Sequence, residues 1–138
     1  MTRSKSRRRV ILVVDDELDV LLPLADLLDK LMPNVKVYAA QSAEEALAFL
    51  AQNSVDLVIT DLRMPGLDGE HLLGVLNALR TRPASILMTG FPEPGAMFRC
   101  LNENQVGAIV TKPFDAAVMA DTANRLLESR QVPGGVAA

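Results

Sequence analysis

Short unbroken apolar runs alternate along the chain with longer stretches in which apolar residues return every three or four positions. VILVV (Val10 to Val14) is rich in β-branched residues and predicts a strand buried on both faces. The spacing after it predicts a helix over 18–32, ended by Met32, Pro33 and Asn34. VKVYAA (35–40) alternates and predicts a second strand. Ser42 with Glu45 three residues on forms a capping box, which starts a helix through SAEEALAFLAQN. VDLVIT (55–60) reads as strand three, followed by a helix over 69–79. SILMT (85–89) reads as strand four, followed by a weaker helix over 95–104 after a proline-bounded turn. GAIVT (107–111) reads as strand five, and a closing helix over 115–130 is capped by Asp115.

Five strands alternating with five helices call for an α/β fold. A parallel sheet needs a crossover helix for each connection, and the helices cover both of its faces. With 138 residues the chain suffices for one domain with a real core and is too short for two. Pro23 sits awkwardly within helix one; it would fall in the first turn, where proline is tolerated, only if that helix began near Val20. Helix one carries two apolar stripes. Leu18, Leu21, Leu22, Ala25, Leu28 and Met32 form the first; Val20, Leu24, Leu27 and Leu31 form the second. A surface helix needs only one core stripe, so the second is a candidate docking face, for a partner helix or a second copy in a homodimer.

Composition narrows the class. Apolar residues make up 49% of the chain, which argues against disorder, and no apolar run approaches the length of a membrane span. The basic N-terminus followed by apolar residues imitates a signal peptide, but the run ends in two aspartates with no small-residue cleavage site. The single Cys100 excludes an intramolecular disulfide and fits a reducing compartment, so the expected location is cytoplasmic. The net charge of −3 conceals an asymmetry. Arg3, Lys5, Arg7, Arg8 and Arg9 hold five of the fourteen basic residues, leaving nine against seventeen acids elsewhere. Residues 1–9 are therefore expected as a solvated basic arm, 10–130 as the domain, and 131–138 as a tail or linker start. The acidic body argues against a nucleic-acid partner.

Open parallel sheets bind ligands beyond the carboxyl ends of their strands. Strand one ends in Asp15, Asp16 and Glu17; strand three in Asp61; strand four in Thr89; strand five in Lys112 and Pro113. Clustered carboxylates repel unless a cation joins them, and two or three acids plus waters suit Mg²⁺, with Mn²⁺ as an alternative ion. A lysine opposite offsets the remaining charge, and a threonine hydroxyl can donate to an oxyanion. Together these are the parts for phosphoryl transfer onto a carboxylate, with Asp61 as the nucleophile.

VVDDE with Asp15 and Asp16, DLRMPGLDG with Asp61, MTG with Thr89, and TKPF with Lys112 and Pro113 resemble the receiver domains of two-component response regulators. The resemblance runs from about Val10 to Arg130. It implies a doubly wound, flavodoxin-like (βα)5 fold with strand order 2-1-3-4-5. It implies Asp61 as phospho-acceptor, Asp16 as direct Mg²⁺ ligand, Asp15 as a ligand through water, and the Arg63 carbonyl as the third protein ligand. Thr89 resembles the switch hydroxyl and Lys112 the lysine that pairs with the phosphoryl oxygens, its bond to Pro113 being similar to one usually cis. The implied partners are a histidine kinase or histidine phosphotransfer protein and a downstream effector, with no membrane. Such a chain catalyses only its own phosphorylation and dephosphorylation.

The chain departs from that pattern at Ile109, where the family often carries an aromatic switch residue. Phe91 near the site is expected to obstruct hydrolytic water, and Arg63 to reach the phosphoryl group, giving a long phosphoryl lifetime. Met64 and Leu67 read as packing residues and Gly66 and Gly69 as turn residues. His71 has no metal-binding partner, and Cys100 reads as packing or surface. Two alternatives stand beside the switch. A vestigial-site interaction module is disfavoured by the full set of acids, hydroxyl and lysine. A phosphohydrolase wants an aspartate two residues after the nucleophile, where Arg63 stands.

Overall fold

The computed structural model describes residues 8–131. Its elements alternate: β1 (Arg9–Val14), α1 (Leu18–Leu31), β2 (Val35–Ala40), α2 (Ala43–Gln52), β3 (Leu57–Asp61), α3 (Gly69–Asn77), β4 (Ala84–Thr89), α4 (Pro94–Asn102), β5 (Ala108–Thr111) and α5 (Ala116–Gln131). The five strands pair in parallel in the order β2-β1-β3-β4-β5. This is the doubly wound α/β fold that the pattern predicts. Apart from Arg8, Arg9 and Gln131, the expected arm and tail lie outside the described residues.

The unbroken apolar strands fill two separate cores, one on each face of the sheet. Leu12, Val14, Val58 and Leu87 point to one face and meet Leu72, Leu73 and Leu76 of α3 and Cys100 of α4. Ile11, Val13, Ile59 and Met88 point to the other and meet Leu21, Leu24 and Leu28 of α1 and Met119 and Ala123 of α5. Side chains alternate along a strand, so a strand covered on both faces must be apolar at every position.

Local signals hold where capping chemistry is explicit. Glu45 N–H donates to Ser42 Oγ at 3.0 Å, and Gln41 N–H donates back to Glu45 Oε1 at 2.9 Å. Asp115 caps α5 by accepting from Ala117 N–H at 3.0 Å. Several element bounds differ from expectation. Strand three starts at Leu57 rather than Val55 and takes in Asp61. Helix α1 starts at Leu18, as the spacing predicts, so Pro23 lies inside it, beyond the first turn. And α3 stops at Asn77: Ala78 and Leu79 donate to the third residue back, Val75 and Leu76, tightening the last turn. The helix α4 also ends early, at Asn102, because Gln105 turns left-handed at φ 54°. Val106 N–H then reaches back to the Cys100 carbonyl at 2.9 Å.

The two stripes of α1 divide differently from the expectation. The core seam is Leu21, Leu24, Leu28 and Met32, and Leu24 is only 5% exposed. Leu18, Leu22, Leu27 and Leu31 are the exposed members, with Leu27 at 44%. The expected stripes overlapped in arc, and the actual seam draws from both.

Candidate functional site

Parallel pairing brings the strand ends to one edge. Val14 pairs with Thr60, so Asp15 and Asp61, each next along its strand, lie side by side. Asp61 pairs with Met88, and Thr89 with Thr111, which sets Thr89 and Lys112 at the same edge. Lys112 Nζ bridges the two acids, 3.1 Å from Asp15 Oδ2 and 3.2 Å from Asp61 Oδ1. The second oxygen of Asp15 accepts from Glu17 N–H at 3.0 Å. Asp15 and Asp61 are buried and Asp16 half-buried, and one carboxylate oxygen from each lies within 4.8 Å of the others.

The electrostatics follow from burial. Desolvation pushes the Asp61 carboxyl above its ordinary value; the Lys112 charge pulls it down and the Asp15 charge pushes it up, leaving it raised. Burial alone would lower Lys112, but its hydrogen bond to Asp15 and the charges of Asp61 and Asp15 outweigh that and raise it. The lysine is therefore fully charged at neutral pH. A single ammonium faces three carboxylates, and the surplus negative charge with hard oxygen donors fits a small divalent cation.

The Thr89 hydroxyl accepts from Phe91 N–H at 3.1 Å, which leaves its own O–H as a donor. The Lys112–Pro113 bond is cis, and Lys112 N–H donates to the Thr89 carbonyl at 2.8 Å, tying the ends of β4 and β5 together. Behind Asp61 the loop folds back tightly, with Gly69 N–H donating to the Leu62 carbonyl at 2.8 Å. Gly66 in that loop has φ 76°, a conformation glycine adopts without strain. Met64 is buried in the core and Leu67 packs on it, as expected of packing residues.

Other expected residues stand further off. His71 is exposed on α3, with its N–H donating to the Asp68 cap at 2.9 Å. Cys100 is fully buried, and burial pushes its thiol up to about 11. Ile109 packs half-buried against the core on the α4 side. Phe91 is 76% exposed, so its ring lies mostly in water instead of closing over the acids. Arg63 forms an ion pair with Glu93 across the mouth of the site. No local pattern marks Glu93 as its partner, because nothing in the sequence joins two loops thirty residues apart.

Asp56 is the other acid that sequence reasoning missed. It is buried at the opposite end of β3, where its carboxylate accepts from Val10 N–H at 2.8 Å. It braces the sheet and takes no part in the site.

The family model for the response regulator receiver domain matches residues 11–124. The response regulator protein FleR of Pseudomonas aeruginosa is 35% identical over 117 residues, which are 83% of this chain and 24% of FleR. The transcriptional regulatory protein FixJ of Rhizobium meliloti is 35% identical over 118 residues, 84% of this chain and 55% of FixJ. The chain thus spans about a quarter to a half of these relatives' lengths. The receiver domain of an HD domain-containing protein from Pseudomonas fluorescens superposes with a TM-score of 0.83 at 30% identity, covering 90% of this chain and 98% of that one. Sequence, fold and strand-end chemistry agree, and the chain belongs to the receiver domains of two-component response regulators.

Proposed function

We propose that this receiver takes a phosphoryl group onto Asp61 in a Mg²⁺-dependent reaction and thereby changes its affinity for a downstream effector. The observation that carries the reading is the bridge of Lys112 between Asp15 and Asp61 at one sheet edge. Asp15, Asp16 and Asp61, with the Arg63 carbonyl, would hold the ion. When bound, the ion neutralises carboxylate and phosphoryl charge. An Asp61 oxygen attacks phosphorus in line, and the bond from phosphorus to the donor breaks with its electron pair leaving on the donor. Lys112 follows the transferred oxygens, and the free O–H of Thr89 turns to donate to one of them. The face around α4 and β5 carries the change, and the domain proper is 10–130. Signalling rather than turnover is the output.

Among the described residues no helix is long and apolar enough to cross a membrane. We place the reaction in the cytoplasm, to which a single buried thiol is suited. The test is intact-mass measurement after incubation with acetyl phosphate. One phosphoryl group should be gained with Mg²⁺ and none with chelator, and peptide mapping should find it on Asp61. A folded chain that gains nothing overturns the reading.

The donor's docking surface is the groove of about 430 Å³ lined by Val20, Leu24, Leu27, Pro113, Phe114 and Lys112. It runs from α1 to the lysine of the site, so a helix seated there would hold a phosphohistidine beside Asp61. Leu27→Ser should slow transfer from a cognate kinase or phosphotransfer protein about tenfold and leave acetyl phosphate labelling unchanged. Equal transfer from the protein donor would remove this surface from the account. Leu24→Ser is unsuitable for that test, because loss of a buried leucine costs about 2 kcal/mol or more in stability.

A further inference from the structure

We propose that the ion pair of Arg63 with Glu93 is a latch on the start of α4, which a phosphoryl group on Asp61 opens by drawing Arg63 away. The proposal rests on Asp61 as acceptor. Arg63 lies two residues past Asp61, within about 7 Å of chain, in the loop that leaves β3. Glu93 lies four residues past Thr89, in the loop that leaves β4. The pair therefore joins the loop of the acceptor to the loop of the hydroxyl donor. Glu93 is also the N-cap of α4, yet its carboxylate makes no cap bond; its backbone carbonyl serves the helix instead, accepting from Met97 N–H at 2.9 Å. The side chain is left to Arg63. A second tie runs alongside. Phe91 N–H donates at 3.1 Å to the Thr89 hydroxyl, the group proposed to turn towards the phosphoryl oxygens.

Such ties matter to α4 because it buries little. Ala96 and Cys100 are its buried residues. Its other anchor is Arg99, whose guanidinium forks onto Glu70 of α3, with Nε 2.5 Å from Oε2 and Nη2 3.1 Å from Oε1. That anchor joins helix to helix, whereas Arg63 and Glu93 join the helix to the site. Their side chains are 56% and 54% exposed, and an exposed pair favours its closed form by a factor of about five or less. A modest new charge nearby is enough to displace it. The three carboxylates are balanced once Lys112 and a divalent ion face them. A phosphoryl group carries about −1.5 to −2 at neutral pH where the carboxylate carried a single charge, so it leaves a surplus of up to about one negative charge. It also offers three strong acceptor oxygens. The planar fork of arginine bonds two phosphoryl oxygens at once, so the phosphoryl group outcompetes one exposed carboxylate.

Cys100 reports the state of α4 without an added probe. It is the chain's single cysteine and is fully buried on that helix. Its alkylation by iodoacetamide, followed by intact mass, therefore reads how often α4 opens. Acetyl phosphate with Mg²⁺ should speed alkylation about two- to fivefold in the chain that carries the label, the range for losing one exposed pair. Glu93→Gln should reach that rate without label and gain little more with it. Glu70→Gln breaks the other anchor, so it should raise both rates and leave their ratio unchanged. Melting midpoints of these variants check that global unfolding does not supply the rate. The half-life of the label separates a latch from a mere brace. Glu93→Gln frees Arg63 for the phosphoryl group and should lengthen the half-life about two- to fivefold, the competition that Glu93 no longer offers. Arg63→Gln breaks the same pair but removes the phosphoryl contact, and it should shorten the half-life. Shifts in the same direction overturn the proposal. Label on the wild type with no change at Cys100 overturns the latch alone. A folded chain that takes no label overturns the choice of Asp61, and the latch with it.

Discussion

Gly69→Ala is expected to cost the chain about 3 kcal/mol or more and to abolish phosphoryl uptake in whatever remains folded. Gly69 opens α3 directly against the strand that carries Asp61. A Cβ there would lie 2.0 Å from the Asp61 carbonyl oxygen, 2.9 Å from Leu62 Cα and 3.0 Å from the Asp61 carbonyl carbon. Non-bonded carbon atoms rest at about 3.5–4.0 Å, so the overlap is severe. All three atoms are backbone, and none can swing aside as the end of a side chain would. Either α3 withdraws or the end of β3 moves, and both disturb the setting of Asp61, the proposed acceptor. The midpoint of thermal unfolding should fall by about 10 °C or more for a chain of this size. Gly74→Ala is the control, since its nearest neighbour is Asn104 Oδ1 at 3.6 Å, an ordinary contact. Alanine in mid-helix there should be neutral or stabilising by up to about 1 kcal/mol. Equal damage at both positions would refute the close-approach explanation.

Asp61→Asn should gain no phosphoryl group from acetyl phosphate, yet melt above the wild type in metal-free buffer. Burial holds the Asp61 carboxyl above its ordinary value of 3.8, with Lys112 opposing and Asp15 adding to that shift. An acid with a raised native pKa binds its proton more tightly folded than unfolded. Stability therefore falls as pH rises from 3.8 through the raised native value, and above that value the whole loss is present. The amide lacks that fall, so the two melting curves separate across this window. Each kcal/mol regained lifts the midpoint by about 3–5 °C. Mg²⁺ should then reverse the ranking, because it stabilises by mass action the form whose carboxylates it binds. A metal-free midpoint below wild type at neutral pH contradicts the electrostatic account. Label on the asparagine variant contradicts the choice of acceptor.

The site was legible in the sequence because the parallel sheet turns strand order into position. Once VILVV and VDLVIT read as buried strands, Asp15 and Asp61 had to emerge at one edge, with Thr89 and Lys112 beside them. Caps made by neighbours in sequence, such as Ser42 with Glu45, were equally readable. Contacts between distant segments were not. The bond from Val10 to Asp56 spans 46 residues, and no local pattern marks that aspartate as a brace. The pair of Arg63 with Glu93 and the seam of α1 likewise depend on what packs opposite. The end of α3 was missed because Ala78 and Leu79 are good helix formers whose backbone tightens instead of stopping at a cap.

The two cores have a consequence for local stability. The sheet is a wall between them, and the compartment on the α4 side is closed partly by two nine-residue helices, whereas α1 and α5 run for 14 and 16 residues. Short helices with fewer buried residues open at lower free energy than the whole molecule does. Amide protons on α4 can therefore exchange through an opening that leaves the α1–α5 compartment shut. The groove proposed for docking and the helix proposed to move stand on opposite sides of that wall, so α4 can loosen while the surface proposed to meet the donor stays intact.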